Sequence, residues 1–306
     1  MAGGVLPVRG VLFVARVTAG GGSAWWPAEI GTHFAGIVAK TPTALGIVGA
    51  AVVMCLLGVI DDVRPLGASI KFLVQTAVAA FLVVVLDLRL LSHLGWLPST
   101  VLSMAWIVTL TNSLNFLDNM DGLASGVALI AAGVFATTSM LAGQIFVPAW
   151  CWLLVGALGG FLCFNFHPAS IYLGDAGSTV IGLLLAVFTI LTTFFDPSKG
   201  QHPVGVIAPL VVMAVPLYDT ASVVFLRWRS GASIWKGDRR HFSHRLVQRG
   251  MSARKAVLVI WLATLVTALP ALLLPSANWP LAVGIMVQRL LVVALVALLE
   301  SAGRAP

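Results

Sequence analysis

Five aspartates, Asp61, Asp62, Asp118, Asp121 and Asp175, stand where long apolar runs of the sequence break off, with Asn112, Asn115 and Asn165 close by. An ionised carboxylate at membrane depth is costly unless it is paired, hydrated or metal-bound. Asp at a helix start is also an ordinary cap. A single acid of this kind reads equally well as a cap, but five with amides beside them read as a ligand set. Carboxylate and amide oxygens suit a hard cation, and Mg²⁺ is typically held by one or two carboxylates together with substrate phosphates. The pattern therefore points to chemistry on a phosphate ester. Lys71, nine residues after Asp62, can hold a phosphate or neutralise the acids; the alternative is an interfacial lysine with its stem on apolar surface. Asn115, Asp118 and Asp121 recur every three residues, so helical geometry would set them on one face.

The elements that must position these groups follow from composition. Of 306 residues, 59% are hydrophobic and 9% charged, and the mean hydropathy is +1.01. So much apolar surface cannot be hidden in one soluble core, and a disordered chain or a disulfide scaffold is excluded. The fold class expected is all-α: a polytopic integral membrane protein of one domain over residues 1–306. With about 20 residues per span, about ten spans are predicted, near 4–18, 44–60, 70–90, 97–116, 122–143, 147–166, 176–195, 204–226, 255–274 and 279–299. Cys55, Cys151 and Cys163 lie inside apolar runs and read as core hydrophobes.

The net charge of +7 is unevenly distributed. Nine of the 18 cations fall between Arg227 and Lys255, which argues against a nucleic-acid partner and for a cytoplasmic loop at 227–254. Counting spans outward from that loop brings the turns at 61–69, 117–121 and 167–175 to the same side. The acids thus gather at the cytoplasmic face of a plasma (inner) membrane, where a lipid and a soluble substrate can meet. The basic loop adds phosphate-binding charge.

The motifs themselves resemble those of a known family. Gly58-Val-Ile-Asp61-Asp62, followed by Leu66, Lys71 and Gln75, is similar to the aspartate-rich motif of the polyprenyl-phosphate N-acetylhexosamine-1-phosphate transferases. Asn112-Ser-Leu-Asn115-Phe-Leu-Asp118-Asn-Met-Asp121-Gly122 resembles their second motif. Phe164-Asn165-Phe-His-Pro168 with Tyr172-Leu-Gly174-Asp175-Ala-Gly177-Ser178 resembles the third, and Asp238-Arg239-Arg240-His241-Phe-Ser-His244-Arg245 the histidine motif. The resemblance covers roughly residues 55–250.

It implies transfer of a sugar 1-phosphate from a UDP-sugar to undecaprenyl phosphate with release of UMP. That would be the first membrane step of a cell-envelope polysaccharide or teichoic-acid-type pathway. It implies Mg²⁺ as cofactor, with Mn²⁺ as a substitute, and a metal set of Asp175, Asn115 and Asp118. Asp61 and Asp62 would serve as base and metal partner, their order left open, with Lys71 beside them. Asn112, Asn115, Asp118 and Asp121 would contact metal and uridine, Asp121 nearest the uracil. Asn165 and Tyr172 would contact the nucleoside, and His241, His244 and Arg245 the diphosphate. Arg227 and Arg229 read as solvated charges. Oligomeric state is left open, a homodimer being one arrangement.

The His-Phe-Ser-His spacing is nearer the N-acetylglucosamine-using branches than the muramoyl-pentapeptide branch, which is the alternative substrate class. Met1-Ala-Gly3-Gly4-Val5 looks like the tail of a Pro-x-x-Gly-Gly pattern, so a preceding span and basic loop are expected, and an inactive truncated member is a further alternative. A carboxylate-bearing transporter would place acids near the midplane with broken helices, unlike this clustering. The CDP-alcohol phosphotransferases share Asp118…Asp121-Gly122, but Ala124-Ser125 and the lack of an acid before Asp175 break their motif.

Overall fold

The computed structural model describes residues 28–195, 198, 202–231 and 241–301. The expected span at 4–18 and the residues Lys236, Asp238, Arg239 and Arg240 lie outside the described residues. The chain divides into two compact units with the boundary at Ala50/Ala51. Eleven helices are described: α1 (Ala28–Val63), α2 (Ala68–Ala80), α3 (Trp96–Leu117), α4 (Leu123–Leu141), α5 (Phe146–Asn165), α6 (Gly174–Leu191), α7 (Ala208–Val212), α8 (Ala214–Arg229), α9 (Phe242–Gln248), α10 (Ala253–Ala268) and α11 (Trp279–Ser301). Their boundaries follow the sequence punctuation. Gly122 enters α4 at φ 75°, a left-handed turn open to glycine. Ser252 caps α10 through its side chain, which accepts from the Lys255 N–H.

Among the described residues seven helices are long and apolar enough to cross a membrane. The span expected at 204–226 is instead the pair Pro203–Val212 and Ala214–Arg229, bent by 64°. Pro209 and Pro216 lie on either side of that break, and each removes a backbone donor. The last expected span is represented by a shorter apolar stretch, Trp279–Val292. All the described regular structure is helical, as expected of an all-α membrane protein.

The unit from Ala51 onward carries the site. Within it α4 is the central helix: 72% of its apolar window is buried, against 28% for α5. Small residues set the closest approaches. A Cβ on Gly182 of α6 would fall 2.6 Å from the Thr111 Cα of α3, and one on Gly126 of α4 would fall 2.0 Å from the Trp261 ring of α10. Such contacts are how helices approach in lipid, where apolar burial alone does not drive them together. Gly58 of α1 is the tightest for the site, since its Cβ would lie 2.3 Å from Ala176 N and Cα at the start of α6.

Gly58→Ala should therefore force α1 off the start of α6, at a cost of about 1–3 kcal/mol from overpacking. Gly133→Ala, whose Cβ would meet nothing within 4 Å, should be at least as stable as the parent, with a gain of up to about 1 kcal/mol from helix propensity. Thermal unfolding of both purified variants in one detergent checks this; equal transition temperatures would contradict the packing.

Candidate active site

The close approach at Gly58 sets the end of α1 against the first turn of α6, and the carboxylates meet there. Asp62 accepts from the backbone N–H groups of Asp175 at 3.0 Å and Ala176 at 3.3 Å. Both of its oxygens thus cap α6, a helix whose first donors have no intrahelical partner. Gly174 makes this possible. Its φ is +65°, and a Cβ there would stand 2.6 Å from Asp62 Oδ2. Asp61, on the preceding position of α1, faces differently. Its Oδ1 accepts from the Leu66 N–H at 2.6 Å and its Oδ2 from Lys71 Nζ at 2.8 Å.

Lys71 Nζ also donates to Asp175 Oδ2 at 3.0 Å. The other oxygen of Asp175 accepts from Asn115 Nδ2 at 2.8 Å, and Asn115 also donates to Ser178 Oγ at 3.0 Å. Lys71, the aspartates of the first and third motifs and the asparagine of the second therefore form one contiguous cluster. Asp118, just past the end of α3, lies beside it. Burial, then the carboxylates of Asp175, Asp62 and Asp121, push its carboxyl up to about 7 against a hydrogen bond from the Gly174 backbone. Desolvation leads in that shift, and the surplus of acids over cation adds to it.

Two cavities flank the Gly174–Asp175 step. The first, of about 340 Å³, is polar at Lys71, Asn115, Asp175 and Arg227 and apolar along Leu57, Phe72, Val108 and Val224. The second, of about 360 Å³, is lined by Asp118, Asn119, Met120, Asp121, Asn165, Tyr172 and Gly174. Tyr172 is 75% exposed at this second cavity. Asp121 is fixed by the His167 ring, with Nδ1 at 2.9 Å, and by the Ala169 N–H at 3.1 Å.

Some expected contacts are already occupied. Asn165 is buried, accepting from the Gly122 N–H at 3.0 Å and Ser125 Oγ at 2.8 Å while donating to Ile171 O at 3.0 Å. Its amide shapes the wall of the second cavity by tying three segments together. Asn112 donates to Gln75 Oε1 at 2.6 Å and to Val108 O at 2.8 Å, bracing α2 on α3 at the first cavity.

The histidine motif begins at His241, which is buried and lines the first cavity. His244 and Arg245 are half-buried on α9, and Arg245 Nη2 donates to Ser222 Oγ at 3.0 Å. Arg229 is exposed, as expected. Arg227 is a correction: it is 2% exposed and lines the first cavity rather than standing in solvent. It sits inside α8, whose helix continues two residues past it. Reading the basic stretch as loop from residue 227 placed it too far out.

Among the described residues no three Asp, Glu, His or Cys side chains close on a point as a ready-made metal cage. The donor set still fits a magnesium-like ion, which binds through one or two carboxylates and takes its remaining ligands from water and phosphate. Asp175 and Asp118, with more negative charge around them than Lys71 offsets, are that kind of pair.

A family model described as glycosyl transferase family 4 matches residues 44–193, which include the three acidic motifs. The chain is 32% identical over 259 residues to the probable undecaprenyl-phosphate N-acetylglucosaminyl 1-phosphate transferase of Bacillus subtilis, covering 81% of this chain and 70% of that relative. It is 34% identical to the decaprenyl-phosphate N-acetylglucosaminephosphotransferase of Mycobacterium tuberculosis, over 74% of this chain and 62% of the relative. To the undecaprenyl-phosphate alpha-N-acetylglucosaminyl 1-phosphate transferase of Escherichia coli K12 it is 26% identical, over 74% and 64%. The chain belongs to glycosyl transferase family 4. It spans less than two thirds of the length of the second and third relatives and slightly more of the first.

If Asp62 acts as the cap of α6, its loss should be felt as stability. Asp62→Ala is expected to cost about 0.5–2 kcal/mol, and Asp62→Asn, which keeps one accepting oxygen, less. Asp61→Asn should leave the start of α6 in place. Chemical unfolding of the three variants decides, and an Asp62→Ala protein as stable as the parent would rule out the cap.

Proposed function

We propose that the chain transfers N-acetylglucosamine 1-phosphate from its UDP derivative to a polyprenyl phosphate, releasing UMP and leaving a polyprenyl-diphospho-sugar. Family membership and the relatives' names support the reaction. The observation that carries it is the pair of cavities on either side of Gly174–Asp175, one apolar with a cationic end and one polar with an exposed aromatic ring. A lipid phosphate fits the first and a uridine nucleotide the second. The two phosphates would then meet at the cluster of Asp175, Asn115 and Lys71.

In this reading an oxygen of the polyprenyl phosphate attacks the β-phosphorus of the UDP-sugar. The bond from that phosphorus to the bridging oxygen breaks, and the bridging oxygen departs with UMP. Asp61 keeps the attacking phosphate deprotonated, and Lys71, ion-paired with Asp61 and Asp175, balances charge as it enters. Asp62 holds the start of α6, so that Asp175 keeps its direction. Asp175 and Asp118 would hold Mg²⁺, with Asn115 orienting Asp175. Bound there, the ion would neutralise the transferring phosphoryl group and align the reactants. Asp121 and Tyr172 face the nucleoside, and His241, His244 and Arg245 the phosphates. In this reading the site faces the cytoplasm, a side supported by the basic composition of the 227–254 stretch and by the cytosolic supply of UDP-sugar.

UMP release by the purified chain, given a panel of UDP-sugars with undecaprenyl phosphate and Mg²⁺, tests the reaction. UDP-N-acetylglucosamine should be the best donor, and chelation should abolish turnover. Asp175→Asn should remove nearly all turnover with the helical fold intact. Tyr172→Ala should raise KM for the UDP-sugar by about 5- to 150-fold, if its ring stacks with the 1–3 kcal/mol per base found for aromatic–base contacts. KM for the lipid should barely move. A selective loss of lipid affinity would reject the nucleoside cavity.

A further inference from the structure

Asp219 is the one acid inside the broken segment of α7 and α8, and its side chain is fully buried. Its Oδ2 lies 2.8 Å from His241 Nδ1, and its Oδ1 accepts from the Phe242 backbone N–H at 2.6 Å. The carboxylate therefore grips the histidine motif twice, once by the ring and once at the first turn of α9. The Phe116 ring stands against the imidazole with centroids 6.1 Å apart, which limits its rotation. His241 also lines the cavity that holds Lys71, Asn115 and Asp175. Its Nε2 makes no hydrogen bond among the described residues and is the ring nitrogen left to that cavity.

A carboxylate accepts only, so Nδ1 must carry the proton of this contact. A phosphate oxygen reaching Nε2 is also an acceptor. An imidazole between two anions satisfies both only as the imidazolium, with each nitrogen donating, and such charge-assisted contacts are about twice as strong as neutral ones.

We propose that Asp219 is a positioning residue, which holds His241 as the imidazolium so that Nε2–H binds a phosphoryl oxygen of a substrate in the Lys71 cavity. The proposal rests on the reading of the histidine motif as a phosphate contact. It adds to that reading the acid on which the histidine depends. Asp219 acts at a distance from the reacting atoms, and removing its charge should weaken His241 without emptying the cavity.

The test is a double-mutant cycle on the full chain, with Asp219→Asn, His241→Ala and the double variant. UMP release is measured with UDP-N-acetylglucosamine and undecaprenyl phosphate varied in turn. Asp219→Asn should cost about 10- to 100-fold in kcat/KM, by analogy with the outer partners that orient metal-ligating histidines. The double variant should be no worse than His241→Ala alone, because the acid acts through the ring. A rise in KM confined to undecaprenyl phosphate assigns the acceptor phosphate; one confined to the UDP-sugar assigns the donor diphosphate. As a signature that a purely structural role would not move, the ¹⁵N spectrum of His241 with the substrate so assigned bound should show both nitrogens protonated in the parent. In Asp219→Asn only one should be.

Losses that multiply in the double variant, or a neutral His241 in the parent with the kinetically assigned substrate bound, would overturn the proposal. If His241→Ala turns over within threefold of the parent, the phosphate role of the motif falls and the proposal with it. If His241→Ala is impaired while Asp219→Asn is not, only the role of Asp219 falls.

Discussion

One ammonium group holds the site together. Lys71 Nζ lies between Asp61 Oδ2 and Asp175 Oδ2, at 2.8 and 3.0 Å, and so joins the end of α1, the start of α2 and the start of α6. Without that cation two carboxylates brought to the edge of an apolar bundle would repel each other across a partly desolvated gap. The backbone geometry around them is built for the same approach. Gly58 lets α1 touch α6, Gly174 turns left-handed against Asp62, and Asp62 then caps the helix that carries Asp175. Side-chain charge and backbone packing thus set the same distance.

This arrangement separates two adjacent acids that look equivalent in sequence. Asp62 spends both oxygens on backbone amides, whereas Asp61 keeps its outer oxygen on a lysine that faces the first cavity. Under the proposed reaction Asp61 is for that reason the acid assigned to the incoming phosphate. Asp118 is different again: half-buried at the second cavity, it has its carboxyl pushed up to about 7 by desolvation first and then by the carboxylates around it. A group of acids with so little compensating charge is a place where a divalent cation and a phosphate would bind together.

The helical membrane fold and the gathering of the acidic motifs were legible because both rest on strong local signals: long apolar runs, and charges that such runs tolerate only at their ends. The single-residue roles were less so. Asn165 matches a substrate-contact pattern, yet its amide is consumed by Gly122, Ser125 and Ile171, partners that only the folded chain brings near. Arg227 read as part of a solvated basic stretch because linear charge density does not show where a helix ends. The Asp219–His241 pair spans a segment boundary that no local pattern links. Its one signal was an acid in a later apolar segment, where ionisable residues are costly and usually functional. The 64° break between α7 and α8 was signalled by Pro209 and Pro216 but hidden by unbroken hydrophobicity.

The claim that Lys71 balances the charge of Asp61 and Asp175 during phosphoryl transfer is tested most directly by the turnover of Lys71→Met. Methionine keeps much of the apolar stem and removes the ammonium. If the cation is what lets both carboxylates stand at the site, UMP release at saturating substrates should fall about 10²–10³-fold, the loss typical of a preorganised charge-stabilising donor, while the helical fold persists. Turnover within threefold of the parent would contradict the account.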